Sequence, residues 1–335
     1  MKIHEFYIKR CIELAKNGLP SAMPNPSVGA VIVCENKIIG EGYTSAYGGN
    51  HAEVNAIASV KNKELLVKST IYVSLEPCSH FGKTPPCSDL IIKCKIPNVV
   101  IGAVDSNSKV SGQGIKKLLE AGAKVIVGIL EAECRESNKR FFTYHEKKRP
   151  YIILKWAETE DGFIAPSSKN EQIPVWITNI YSRQLVHKWR SEEAAILVGT
   201  QTVIDDNPRL DVRDWEGENP TRIVLNKNNR ISKESHIFDI NQKTLVISDK
   251  TINFSENVAL QIAGFLFDNN LQSVIIEGGR QTLQTFIDAN LWDEARVFKG
   301  DEMFSSGTKA PNITGKIVAK SKIGNDKLLI YLNYD

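Results

Sequence analysis

The chain of 335 residues is 42% hydrophobic and 24% charged, the make-up of an ordinary soluble globular protein. It is about twice the usual single-domain length, so two domains are expected. A formal charge of +3 on scattered lysines argues against a nucleic-acid partner, and no run of about 18 apolar residues offers a membrane span.

The opening segment MKIHEFYIKRCIELAKNG spaces its apolar residues as an amphipathic helix closed by Gly18 and lacks the apolar core of a signal peptide. VGAVIVCENKIIGEG then reads as a strand pair, HAEVNAIASV as a helix and STIYVSLEPC as a strand. CSDLIIKCK follows as a helix, PNVVIGAVD as a strand, GQGIKKLLEAGAKV as a helix with a glycine stop, and KVIVGIL as a short strand. Strands alternating with helices predict an α/β sheet. The polar run RFFTYHEKKRP is expected to be a connector, which divides the chain into domains 1–146 and 147–335. Beyond it YIILKWAE, AAILVGT, TRIVLN, TLVIS, SVIIEGG and EARVF are short β-branched segments of a second α/β domain. The basic stretch KIVAKSKI reads as a solvated face. All six cysteines (11, 34, 78, 87, 94 and 134) fall within the first 134 residues. Reduced thiols in a cytoplasmic protein suit this pattern better than a disulfide framework, leaving Cys78 and Cys87 free to hold a metal.

The strongest chemical signal is His51-Ala52-Glu53 followed by Pro77-Cys78 and by Cys87. One histidine and two cysteines give zinc three ligands and leave its fourth position to water, as catalytic sites do. Glu53 supplies a carboxylate two residues from His51. In zinc deaminases such a glutamate shuttles protons without binding metal, while activated water attacks the carbon bearing the exocyclic amine. A structural zinc site would need a fourth ligand, for which His80 or Cys94 could be drafted.

Eight residues separate the cysteines, in Cys78-Ser79-His80-Phe81-Gly82-Lys83-Thr84-Pro85-Pro86-Cys87. With HAEVNAI, LEPCSHFGKTPPC and Pro24-Asn25-Pro26-Ser27-Val28-Gly29, the first half resembles the bifunctional riboflavin biosynthesis deaminase–reductases. That family joins a diaminohydroxyphosphoribosylaminopyrimidine deaminase to a 5-amino-6-(5-phosphoribosylamino)uracil reductase. The resemblance implies a cytidine-deaminase-like fold, Zn2+ on His51, Cys78 and Cys87, and Glu53 as catalytic proton shuttle. It also implies that Asn25, His80 and Lys83 contact the pyrimidine or its ribose phosphate. Thr44 stands where the family often has histidine, and Asp105-Ser106-Asn107-Ser108 where it has D-P-N-P. Both departures touch substrate contacts and not the zinc chemistry.

The second half lacks the G-x-G-x-x-G fingerprint of Rossmann domains. Ile275-Ile276-Glu277-Gly278-Gly279-Arg280 runs instead from a strand into a helix, which suits an anion site or simply a tight strand–helix turn. Lys155-Trp156-Ala157, Asp161-Gly162, Val175-Trp176-Ile177-Thr178 and the segment from Gly199 to Arg213 resemble the reductase domain of the same family, whose fold is dihydrofolate-reductase-like. The resemblance implies NADPH contacts from Ala157, Trp176, Thr202, Asp206, Gly279, Arg280, Gln281, Thr282, Leu283, Gln284 and Thr285. It implies substrate contacts from Arg190, Leu210, Arg213 and Glu277; two arginines suit a ribose phosphate. Hydride then passes to C1′ of the ribosylamino group, and Lys155, Asp206 and Glu277 are the catalytic candidates for moving the proton. Thr159-Glu160 replaces the family's Ser-Leu, and Pro174 replaces a substrate-binding serine.

The expected partner is therefore a small pyrimidine ribose phosphate, with no nucleic acid and no membrane. The resemblance further implies a homo-oligomer, a dimer formed through the reductase domain. A nucleoside or nucleic-acid deaminase with an accessory domain, and a non-catalytic zinc scaffold, are the competing readings. Activity on cytidine or tRNA would mark the first, and loss of Glu53 or a fourth fixed ligand the second.

Overall fold

Continuous apolar runs become the central strands of two separate sheets in the computed structural model, which describes residues 2–81, 85–106, 111–169 and 171–333. The chain divides into two units, Met1–Lys148 and Arg149–Asp335.

In the first unit, α1 (Lys2–Ala15) turns Tyr7, Ile8, Cys11 and Leu14 inward at helical spacing. β1 (Gly29–Cys34) is buried along its whole length and pairs antiparallel with β2 (Lys37–Tyr43). Helices and strands then alternate as α2 (Ala52–Ser59), β3 (Thr70–Leu75), α3 (Cys87–Lys93), β4 (Asn98–Ala103), α4 (Gln113–Glu120) and β5 (Lys124–Val127). The described residues form a five-stranded sheet in the order β2-β1-β3-β4-β5, with β3, β4 and β5 parallel. Parallel neighbours need crossover connections, and α3 and α4 supply them. These crossovers leave the ends of β3 and β4 beside the first turns of α3 and α4.

α5 (Glu131–Ser137) and α6 (Lys139–Lys147) complete this unit. The polar run expected to be a connector is thus helix α6, with Phe141, Phe142, Thr143 and Tyr144 buried. Its two phenylalanines join the core of the first unit, and Arg135 covers Phe142 at 4.0 Å while pairing with Glu146 at 2.6 Å. Charge along this run hid an amphipathic helix. The chain changes direction immediately after it, at Lys148 with φ 54°.

The second unit runs β6 (Tyr151–Glu158), β7 (Phe163–Pro166), α7 (Ile180–Glu192), β8 (Ala195–Val198), α8 (Thr200–Asp206), β9 (Thr221–Leu225) and β10 (Thr244–Ile247). It continues through α9 (Val258–Asp268), β11 (Ser273–Ile276), α10 (Arg280–Asp288), β12 (Glu294–Lys299), β13 (Gly307–Lys309), β14 (Lys316–Ile323) and β15 (Asp326–Leu332). Its described strands order as β10-β9-β8-β11-β6-β12-β15-β14, with β7 and β13 paired separately. The first six are parallel, and β15 and β14 add antiparallel. β8 and β11 are buried at every position, as all-apolar strands covered on both faces must be. The six β-branched segments read from the sequence are all strands of this sheet. KIVAKSKI is the exposed edge strand β14. Asn179 caps α7 by accepting from Tyr181 N–H at 2.9 Å and Ser182 N–H at 3.1 Å, an interaction typically worth about 1 kcal/mol.

Candidate functional site

In the first unit the candidate metal centre lies where three chain segments meet. His51 is the residue before the first turn of α2, Cys78 follows β3 by three residues, and Cys87 opens α3. His51 Nδ1 stands 3.5 Å from Cys78 Sγ and 3.4 Å from Cys87 Sγ. Zinc bonds of about 2.0–2.1 Å to nitrogen and 2.3 Å to sulfur, at a tetrahedral angle, separate such ligands by about 3.5 Å. The three donor atoms all lie within 4.8 Å of one another, and among the described residues no fourth His, Cys, Asp or Glu joins them. The donor set therefore fits zinc with one position open. His80 is exposed, and Cys94 lies beyond the far end of α3.

The electrostatics suit the same ion. The Cys78 thiol is held well below its ordinary range by hydrogen bonding to Cys87 and to His51, despite burial. Cys87 Sγ is pushed up by its neighbour Cys78 and by burial. The Cys87 backbone N–H, at the positive end of α3, donates to Cys78 Sγ at 3.3 Å. Glu53 is 4% exposed, and burial followed by the charge of Cys78 raises its carboxyl to about 7. Its carboxyl lies beside Cys87. A carboxyl poised there can both accept and return a proton near neutrality.

Asn25 lies half-buried in the segment ahead of β1, its N–H bonded to Ala22 O at 2.9 Å. Neither Asn25 nor His80 hydrogen-bonds to the cluster among the described residues; Lys83 and Asn107 lie outside those residues. Thr44 is buried, and its hydroxyl accepts from Val28 N–H at 2.9 Å, so it serves the backbone where a histidine was expected.

In the second unit a cavity of about 1140 Å³ opens at the carboxyl ends of β6, β8 and β11. Open α/β sheets bind ligands at that edge. Lys155, Ala157, Trp176, Arg190, Thr202, Asp206, Arg213, Glu277 and the whole segment Gly279–Thr285 line it. A smaller cavity of about 450 Å³ shares Pro174, Trp176, Arg190, Asp206 and Arg213, and adds Leu210. Leu210 is also a core residue, held at φ 57°.

Backbone proximity builds the larger cavity. Thr202 Oγ1 accepts from Gly279 N–H at 2.9 Å, tying α8 to the start of α10. A side chain at Gly278 would meet Gly199 N at 2.9 Å, so only glycine lets the two turns approach. The first turn of α10 faces the cavity with no side-chain cap, an opening suited to phosphate.

The charged groups here are paired with one another. Arg190 spans Glu277 at 2.8 and 3.3 Å and donates to Asp211 O at 3.2 Å. Burial alone would raise Glu277, but Arg190 and Lys155 hold it down to about 2. Lys155, half-buried on the cavity wall and within electrostatic reach of Glu277, has its ammonium lowered below the usual lysine range by burial. Burial raises Asp206, opposed by an ion pair with Lys169. Arg213 pairs with Asp211 at 2.5 Å. The arginines expected to greet a phosphate are thus engaged by carboxylates or carbonyls, which a ligand must displace.

Sequence reasoning missed Lys169, Arg183 and His187, which also line the larger cavity. The signal was present for two of them: Arg183, His187 and Arg190 recur at helical spacing on α7. Arg183 stacks over Trp176 at 4.4 Å. Lys169 carries no sequence signal, since only the fold brings it to Asp206. Thr159, in the altered Thr159-Glu160 pair, accepts from Phe163 N–H at 2.9 Å and shapes the β6–β7 turn.

Known proteins resemble the two parts of the chain separately. Residues 1–103 match the cytidine and deoxycytidylate deaminase zinc-binding region, and residues 150–304 match the RibD C-terminal domain. The riboflavin biosynthesis protein RibD of Aquifex aeolicus is 36% identical over 358 residues, covering 99% of both chains. Its counterpart in Escherichia coli is 32% identical, covering 91% of this chain and 89% of that one. A crystal structure from Thermotoga maritima, of a diaminohydroxyphosphoribosylaminopyrimidine deaminase/5-amino-6-(5-phosphoribosylamino)uracil reductase, superposes with a TM-score of 0.90 at 36% identity and 99% coverage of both chains.

Proposed function

The chain belongs to the RibD family and is a bifunctional zinc deaminase and NADPH-dependent reductase of riboflavin biosynthesis, and from that premise we propose which of its residues carry the two reactions. The deaminase occupies residues 1–146 and the reductase residues 147–335. His51, Cys78 and Cys87 hold the zinc, which when bound supplies the Lewis acidity that makes water nucleophilic at neutral pH. Glu53 takes the two protons of the attacking water in turn, delivering one to the adjacent ring nitrogen and one to the exocyclic amine, which leaves as ammonia as the ring carbon becomes a carbonyl. Asn25, His80 and Lys83 bind the pyrimidine or its ribose phosphate. The observation carrying this half is the approach of His51 Nδ1 to both sulfurs, beside a buried carboxyl raised toward neutrality.

In the reductase, Ala157, Trp176, Thr202, Asp206 and Gly279–Thr285 hold NADPH, and Arg190, Leu210, Arg213 and Glu277 hold the substrate. NADPH when bound supplies the hydride that reduces C1′. Lys155 gives its proton to the ring oxygen as the C1′–O bond opens. Two facts favour it over the other candidates: Glu277 is kept ionised by Arg190 and Lys155, and Asp206 is engaged with Lys169. An ionised carboxylate has no proton to give, whereas a half-buried ammonium with a lowered pKa gives its proton readily.

We further assign a homodimer, supported by the exposed edge strand β14 with Ile317 and Val318 outward. A cytoplasmic setting is supported by six free cysteines; no helix among the described residues is long and apolar enough to cross a membrane. The test is a paired assay of both half-reactions with zinc quantified alongside, on wild type and Cys87→Ser. The variant should lose zinc and deamination together and keep reduction. Full zinc and full deamination in Cys87→Ser would overturn the ligand assignment.

A further inference from the structure

The acid that precedes the Pro77-Cys78 turn has no part in the chemistry above, yet it is one of the most heavily bonded side chains of the first unit. Glu76 is 4% exposed. Its Oε2 accepts from Asp105 N–H at 3.3 Å and Gly112 N–H at 3.0 Å, and its Oε1 from Gly114 N–H at 3.0 Å and Ile115 N–H at 3.3 Å. Two of these donors, Gly114 and Ile115, belong to the first turn of α4, and a third is its cap residue Gly112, which has no side chain to offer. A helix otherwise leaves its first four N–H groups unpaired, and it favours a negative charge at that end. Glu76 therefore caps α4 from just beyond the end of β3.

The cap bears on the metal centre because α4 rests against the cysteine turn. A side chain at Gly114 would run into the Pro77 carbonyl, the residue immediately before Cys78. Lys117 of α4 forms an ion pair with Asp89 of α3, the helix that Cys87 opens. Ser88 N–H donates to Cys78 O at 3.1 Å. Both cysteine segments are thus braced by α4, and α4 is held by Glu76.

We propose that Glu76 is a positioning residue of the deaminase, fixing through α4 and Pro77 where the Cys78 sulfur stands relative to Cys87 and His51. The proposal rests on those three residues being the zinc ligands. Groups that orient metal ligands typically contribute about 10–100-fold in affinity or activity. Glu76→Gln keeps the size but turns one acceptor into a donor facing two N–H groups, so half the cap is lost.

The experiment uses the full chain with three readouts: zinc affinity by chelator competition, the visible spectrum of the cobalt(II)-substituted enzyme, and reductase activity. Glu76→Gln should bind zinc about 10–100-fold more weakly and shift the sulfur-to-cobalt bands, with reduction unchanged. Gly114→Ala, which presses on the Pro77 carbonyl from the α4 side, should shift the same bands by a smaller amount. If Glu76→Gln does not fold, Gly114→Ala decides by the same criteria. Wild-type zinc affinity and bands, with only a lowered melting temperature, would reduce Glu76 to a structural cap and overturn the proposal. Cys87→Ser run in parallel separates the two ideas, since retention of zinc there would defeat the ligand assignment itself.

Discussion

The two centres are assembled in opposite ways. The deaminase cluster draws on residues 51 to 87, and its histidine nitrogen already stands at the separation a tetrahedral ion requires from both sulfurs. The reductase cavity gathers residues from 155 to 308 on eight different elements, and its charged groups neutralise one another. Few donors at fixed distances leave a metal site little to rearrange, and sulfur ligands gain little from other partners. A site for a large anionic cofactor and a phosphorylated substrate must carry several cations. Buried cations are costly unless paired, so carboxylates occupy them until the ligand arrives. The first centre is preorganised, whereas the second depends on exchange of ion-pair partners.

That contrast predicts the largest single effect at Glu53. Glu53→Gln should keep zinc, because the side chain is not a ligand, and should abolish deamination, because an amide neither takes up nor gives up a proton near neutral pH. General acid–base assistance is typically worth about 10²–10⁴-fold, and here one group acts twice. Reduction of the pre-deaminated pyrimidine should stay close to wild type, since the two centres lie in separate units. An equal fall in both assays would show that the centres are coupled and break the comparison.

The difference between the centres also governs what the sequence disclosed. His51, Glu53, Cys78 and Cys87 were legible because ligand type and spacing constrain one another within a short stretch, and the apolar strands were legible from composition alone. In the reductase, resemblance identified the residues around the cavity, but their pairing was hidden. Nothing in the residues around Arg190 indicates that Glu277, 87 positions away, will occupy it. Helix α6 was missed because its charged residues outnumber the two phenylalanines that anchor it. Glu76 was passed over for a related reason: its partners are backbone N–H groups, which leave no mark in sequence.

A smaller loss is expected at Lys155, where the comparison can be sharpened by pH. If this ammonium delivers the proton, Lys155→Met should slow reduction by about 10²-fold or more while NADPH still binds. The acid must be protonated to act, so the wild-type rate should hold at low pH and fall as pH rises through the lowered pKa of Lys155. Deamination, measured on the same samples, should not share that alkaline limb. A variant within about threefold of wild type, or an unchanged alkaline limb in Lys155→Met, would remove Lys155 from the chemistry.

The smallest effect should come from the neighbouring acids at the end of α8, which test whether ion-pair exchange matters at all. Asp206 is half-buried, lines both cavities and pairs with Lys169. Asp205 touches only the larger cavity, is exposed at its rim, and accepts from Gln201, one turn earlier on the same helix, at 2.7 Å. Asp206→Asn keeps the shape but removes the charge that balances Lys169, leaving a cation free at the cavity wall. The ion pair is partly exposed, so its loss should cost little stability. The consequence should instead appear in the KM for NADPH or substrate, by several-fold, with the deaminated intermediate accumulating. Asp205→Asn loses an exposed hydrogen bond at the cavity rim and balances no cation there, so it should be nearly silent. Equal effects from the two variants would mean that the helix end tolerates either acid as a simple surface charge. In that case the pairing of Asp206 with Lys169 contributes nothing to binding, and ligand entry need not displace it.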